Sequence, residues 1–323
     1  MSWGATPLRV AVVGAGGVGG YLGSRFAAAG AVVTYLARGV HLEALQKHGL
    51  TIVKPDGDSS TAAVRATADE RDVGPVDLVL ITVKSYDTEA AARRLAPMLD
   101  QETAVLSLQN GVDNEARIGA IVGEGRVLGG AAYILASIQA PGVIRSTDAR
   151  IVVGELTTER QAGSERVDRV VELARAGGVE ADAADDVRRL KWEKYVLLVA
   201  FASVTAATQL TLGDIRRSPA AVAMFRAIAE EAATVGRALG VALDDGLAER
   251  AAERVLALPD DEGTSLRHDL IQGRRMEVEA LQGTLSRLGR EVGIPTPWTD
   301  AAYAILQPWA IRNDARHHEG PRP

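Results

Sequence analysis

Two short stretches in the second half of the chain gather residue types that move protons. Leu190–Ala200 (LKWEKYVLLVA) carries Lys194 where a helix turns almost wholly apolar, and Lys191 stands three residues earlier on the same face. A lysine in that place either snorkels toward water along its alkyl stem or acts as a partly buried proton donor. Gly273–Gly283 (GRRMEVEALQG) offers Glu277 and Glu279 on different faces of a helix, and composition leaves open which of them points inward. Ser265, within GTSL, reads as a helix N-cap. In the first half, Lys84 follows the run VDLVLITV and Asn110 follows AVLSLQ, so both sit at strand ends. Each has an ordinary alternative: a solvated lysine for one, an Asn-Gly turn for the other.

A second set of residues is suited to holding an anion. Val10–Val13 is an apolar, β-branched run of the kind that forms a buried strand, and Gly14-Ala15-Gly16-Gly17-Val18-Gly19 follows it as G-x-G-x-x-G. In that pattern the first glycine makes a tight turn and the second admits a pyrophosphate close to the backbone. The third lets the helix lie on the sheet, with its N–H groups and positive dipole end toward the anion. Tyr21–Ala29, closed by Gly30, supplies the helix. The second strand, Ala31–Leu36, ends in Ala37-Arg38-Gly39 with no acid for a ribose 2′-hydroxyl. A guanidinium there suits a 2′-phosphate, which points to NADPH rather than NADH.

These residues require a scaffold of alternating strands and helices. Further strands are expected at 51–53, 61–66, 76–83, 103–108, 126–133 and 151–153, with helices at 41–47, 87–99, 115–122 and 164–176. That rhythm predicts an α/β N-terminal domain with a doubly wound, Rossmann-type, mostly parallel sheet over residues 1–185. From 186 to 313 only helical patterns appear, at 188–208, 219–239, 244–257, 265–271 and 277–292, so an all-α C-terminal domain follows. Its expected place is over the crevice at the carboxyl ends of the strands. Residues 314–323 are polar and end in proline, and read as a mobile tail.

At 323 residues the chain suits two domains, and 47% apolar with 24% charged residues is the composition of a globular protein. A net charge of −6 argues against a nucleic-acid surface. There are no cysteines, and the five histidines show no metal-ligand spacing, so neither a thiol nucleophile nor a bound metal is expected. No segment reaches the roughly 20 apolar residues of a membrane span, and no signal peptide is evident, which predicts a cytoplasmic protein.

Taken in order, VAVVGAGGVGGYLGSRFAAAG, LARGVHLEAL, VKSYDTEAA, SLQNGVDNE, PGVI, LKWEKYVLL and TSLRHDLIQGRRMEVEALQG resemble the ketopantoate reductase family over nearly the whole chain. The resemblance implies an NADPH-dependent reduction of a 2-oxo acid to a 2-hydroxy acid, and a homodimer. It assigns Gly14, Gly16 and Gly19, with the intervening Ala15, Gly17 and Val18, to the pyrophosphate and Arg38 to the 2′-phosphate. Lys84 falls on the cofactor side, and Asn110 at the nicotinamide ribose and the substrate. Lys194 matches the general acid, Glu277 its carboxylate partner beside the cofactor, and Ser265 a ligand of the substrate carboxylate. The family's lysine helix usually presents asparagines four and eight residues after the lysine as pocket-lining groups. Leu198 and Ala202 hold those places here, and Leu212 replaces a third amide of some members. The resemblance therefore implies a drier pocket, open to a bulkier or less hydroxylated ketone or an imine.

Overall fold

In strand β1 (Arg9–Val13), Val10 and Val12 join one apolar cluster while Ala11 and Val13 join another. Successive strand side chains point to opposite faces, so β1 is covered on both sides. The same division recurs further along, with Leu78 and Leu80 in the first cluster and Val79 and Ile81 in the second. This is how a doubly wound sheet is written into sequence. A computed structural model describes residues 7–156 and 163–319 of the chain, with side chains as far as His317.

The strands after β1 are β2 (Val32–Leu36), β3 (Leu50–Val53), β4 (Ser59–Ala62), β5 (Arg65–Thr67), β6 (Leu78–Ile81) and β7 (Ala104–Ser107). They are followed by β8 (Val127–Tyr133), β9 (Ala136–Ala140), β10 (Val143–Ser146), β11 (Arg150–Glu155) and β12 (Glu180–Ala183). Eight of them form one sheet in the order β12-β11-β8-β7-β6-β1-β2-β5, parallel except for the β11–β8 pair. The helices that accompany them are α1 (Gly17–Ala28), α2 (Gly39–His48), α3 (Thr88–Arg93), α4 (Asn114–Val122) and α5 (Glu165–Ala176).

Three differences from the sequence reading have physical causes. The expected strand at 61–66 is two strands: β4 pairs antiparallel with β3 in a separate sheet ordered β4-β3-β10-β9, whereas β5 pairs parallel with β2 in the main one. The expected helix at 87–99 stops at Arg93, and Pro97 lies in a following 3-10 turn because proline cannot continue the α-helical ladder. The β9–β10 hairpin was not expected, since the residues of β9 are mostly exposed and lack a buried alternation.

The helical part comprises α6 (Val187–Thr208), α7 (Leu212–Arg216), α8 (Pro219–Ala238), α9 (Leu247–Leu256), α10 (Ser265–Ile271), α11 (Thr284–Glu291) and α12 (Pro297–Glu319). The expected helix at 277–292 is divided, its first part being a π-helical turn over Glu279–Gly283. Helix α12 begins with Pro297 at its first position and carries Pro308 inside, which hid it from a reading of helix signals. It extends to Glu319, and Arg275 donates to Asp314 Oδ1 at 2.9 Å, so the segment expected as a mobile tail starts as tethered helix. Residues 320–323 of that expectation lie outside the described residues.

Two compact units result, one of Met1–Gln109 and Asn114–Val187 and the other of Asn110–Asp113 and Arg188–Pro323. The single boundary expected near residue 185 therefore omits a four-residue excursion, in which the chain contributes Asn110–Asp113 to the helical unit. Among the described residues no helix is long and apolar enough to cross a membrane. None of them form a metal-binding cluster of histidine and carboxylates.

Candidate active site

In the first unit the glycine loop joins β1 to α1. Gly14 has φ +107°, and a Cβ there would come within 2.7 Å of Val83 N. A Cβ on Gly19 would strike Gly14 O, so both positions exclude a side chain. Gly16, by contrast, has nothing within 4 Å of where its Cβ would be, which leaves its face open for a ligand. Each carbonyl of the loop is already engaged. Gly14 O accepts from Thr82 Oγ1 at 2.8 Å, Ala15 O from His41 Nε2 at 2.8 Å, and Gly16 O from Gly20 N at 2.8 Å. Helix α1 has no acidic residue in its first turn and no side-chain cap, so its N-terminus keeps its positive character. The cradle fits a pyrophosphate.

Beyond β2, Arg38 is the exposed N-cap of α2, and its guanidinium has no ion pair among the described residues. Lys84 is exposed at the turn after β6. Gln109 ties that turn to the end of β7, donating to Val83 O at 2.9 Å and to Thr88 Oγ1 at 2.8 Å.

In the helical unit Lys194 projects from α6, and its Nζ donates to Asn110 Oδ1 at 3.0 Å. Asn110 reaches it from the excursion Asn110–Asp113, whose other end is held by Arg287 donating to Asp113 Oδ2 at 2.8 Å. Burial pushes the Lys194 ammonium down to about 8; the nearby Lys191 charge adds to that, and Glu277 opposes it. Lys191 is itself buried. A lysine in this state gives up a proton far more readily than one in water. The choice between the two glutamates is resolved by burial: Glu277 is half-buried, while Glu279 is exposed and accepts from Tyr303 Oη at 2.7 Å.

The π-helical turn next to Glu277 is bound to α6 by two hydrogen bonds. Tyr195 Oη donates to Leu281 O at 2.6 Å, and Gln282 Nε2 donates to Ser203 Oγ at 2.9 Å. Such turns leave the backbone ladder out of step and recur at functional sites. Neither tether was anticipated, though a tyrosine adjoining the candidate lysine was available as a signal.

Ser265 is not the N-cap. It is the exposed first residue of α10, and the cap is Thr264, whose Oγ1 accepts from Arg267 N at 3.3 Å and shares a 2.8 Å hydrogen bond with Thr205 Oγ1. Of the apolar residues at the asparagine places, Leu198 is half-buried, whereas Ala202 and Leu212 are fully enclosed in the helical core.

Comparison with known proteins agrees over most of the chain. The family described as "Ketopantoate reductase PanE/ApbA" matches residues 10–158, and "Ketopantoate reductase PanE/ApbA C terminal" matches residues 186–310. A 2-dehydropantoate 2-reductase of Mesorhizobium japonicum is 33% identical, covering 94% of this chain and 98% of its own length. The crystal structure of a PanE/ApbA family ketopantoate reductase from Ralstonia eutropha superposes with a TM-score of 0.87 at 31% identity, covering 95% of this chain and 100% of that one. The ternary structure of D-mandelate dehydrogenase with NADH and anilino(oxo)acetate shares the fold, with a TM-score of 0.86 at 19% identity over 95% of this chain and 99% of that one.

Proposed function

The chain belongs to the ketopantoate reductase family, and from that premise we propose that it reduces 2-dehydropantoate (ketopantoate) to pantoate, using NADPH. The glycine loop from Gly14 to Gly19 holds the pyrophosphate and Arg38 the 2′-phosphate. Lys84 lies on the cofactor side. Asn110 binds the nicotinamide ribose and the substrate, Ser265 binds the substrate carboxylate, and Leu198 lines the pocket, whereas Ala202, expected beside it, is enclosed in the helical core and is given no pocket role. When bound, the nicotinamide supplies a hydride to the ketone carbon. Lys194 polarises the ketone oxygen and then donates a proton to it, its N–H bond breaking as the O–H bond forms and leaving a neutral amine. Glu277 sustains the positive charge of Lys194 before transfer, and the Asn110 side chain orients the ammonium.

The observation that carries this reading is the state of Lys194, held by Asn110 at 3.0 Å and brought down to about 8. NADPH consumption with ketopantoate, measured beside a bulkier unhydroxylated 2-oxo acid, tests it. Lys194→Ala is expected to lower turnover by about a hundredfold or more while NADPH binding is kept, and equal loss of both would reject the acid role. The proposal extends to a cytoplasmic homodimer, supported by the family resemblance and checked by analytical ultracentrifugation and cell fractionation.

A further inference from the structure

His41 occupies the first turn of α2, three residues beyond Arg38, and reaches two loops that are far away in sequence. Its Nε2 lies 2.8 Å from Ala15 O, inside the glycine loop. Its Nδ1 accepts from Gly142 N at 3.1 Å, in the turn between β9 and β10. A carbonyl can only accept and an amide N–H can only donate, so together they select one form of the ring, neutral with its proton on Nε2. Burial lowers the His41 pKa and favours that same form.

The small sheet is pressed against the loop from the other side. A Cβ on Gly17 would collide with Ala136 O at the start of β9, and a Cβ on Gly142 would come within 3.2 Å of Ala44 Cβ on α2. Thr51 N also donates to Gly142 O at 2.8 Å, fixing the turn to β3. Three elements thus meet at one imidazole.

We infer that His41 is a positioning residue for the dinucleotide: it holds the Ala15 carbonyl back and braces the glycine loop against the β9–β10 turn, so that the loop N–H groups stay ordered for the pyrophosphate. The inference rests on the NADPH reading above. An unrestrained peptide at Ala15 can rotate its carbonyl toward the anion, replacing attraction with repulsion. Holding the loop in its binding conformation also removes an ordering cost from association. The second sheet gains a purpose by this account, as a support for the cofactor loop.

The test uses the full chain, with NADPH binding followed by fluorescence and melting temperature measured without ligand. His41→Phe fills the ring volume with no hydrogen bond and is expected to raise the NADPH Kd about tenfold. His41→Gln retains a donor toward Ala15 O and is expected to recover most of the affinity. His41→Asn retains only an acceptor for Gly142 N and is expected to behave like His41→Phe. Wild-type affinity in His41→Phe would overturn the role. So would affinities that follow melting temperature across the three variants instead of following the donor. A wild-type chain that binds no NADPH would overturn the dinucleotide reading itself, a result recognisably different from either.

Discussion

At the scale of single residues, three charges set one proton. In its proposed role Lys194 is an acid only while protonated, and with its pKa at about 8 the activity should fall as pH rises through that value, about tenfold per unit beyond it. Removing the repelling cation with Lys191→Met raises the Lys194 pKa, so the falling limb of kcat/KM should move to higher pH. Removing the supporting anion with Glu277→Gln should move it to lower pH. Two shifts of the same sign would disprove this assignment of the electrostatics. Arg38→Ala should raise the KM for NADPH by about ten- to a hundredfold and that for NADH little, since a charged hydrogen bond to the 2′-phosphate is the interaction lost. An unchanged NADPH/NADH preference would exclude Arg38 from that role.

At the scale of elements, small tethers decide where helices begin and how they face one another. With Thr264 as the cap of α10, Thr264→Ala should cost about 1 kcal/mol in urea unfolding, and Ser265→Ala much less. The reverse order would return the cap to Ser265. Tyr195→Phe leaves the Leu281 carbonyl of the π-helical turn without its buried donor and should cost about 1–3 kcal/mol by the same measurement. These details mark where a sequence stops being legible. β1 and β6 were evident because Val10–Val13 and Leu78–Ile81, buried on both faces, are wholly apolar. The β9–β10 hairpin was not, because its exposed residues carry no such pattern. Helical spacing could place Glu277 and Glu279 on different faces but could not say which face met α6. That depends on the π-helical turn, which is a product of tertiary packing. Thr264 and Ser265 are equally good caps by type, and only the burial of Thr264 against Thr205 separates them.

At the scale of the whole molecule, cofactor binding and stability are linked. A ligand that binds only the native state at a hundred times its Kd stabilises it by about 2.7 kcal/mol. NADPH at that level should therefore raise the melting temperature measured by calorimetry, and NADH at the same concentration should raise it less. Equal effects would remove the basis for 2′-phosphate selection by Arg38. The alternation of strands and helices made the first unit readable, and the absence of strand patterns after residue 186 did the same for the helical unit. The transfer of Asn110–Asp113 between them has no local signal, because Asn-Gly reads as a turn in either setting.

That transfer also imposes an order of events during synthesis. Asn110 precedes its partner Lys194 by 84 residues, an interval of roughly 4 to 17 s at ordinary rates of translation. Asp113 precedes Arg287 by 174 residues. The first unit has all its residues at Val187, before Lys194 has been added. The elements that flank the short excursion in sequence, β7 and α4, both belong to the unit that is complete sooner. On the ribosome, the acceptor Asn110 must therefore wait for its donor Lys194 to be made.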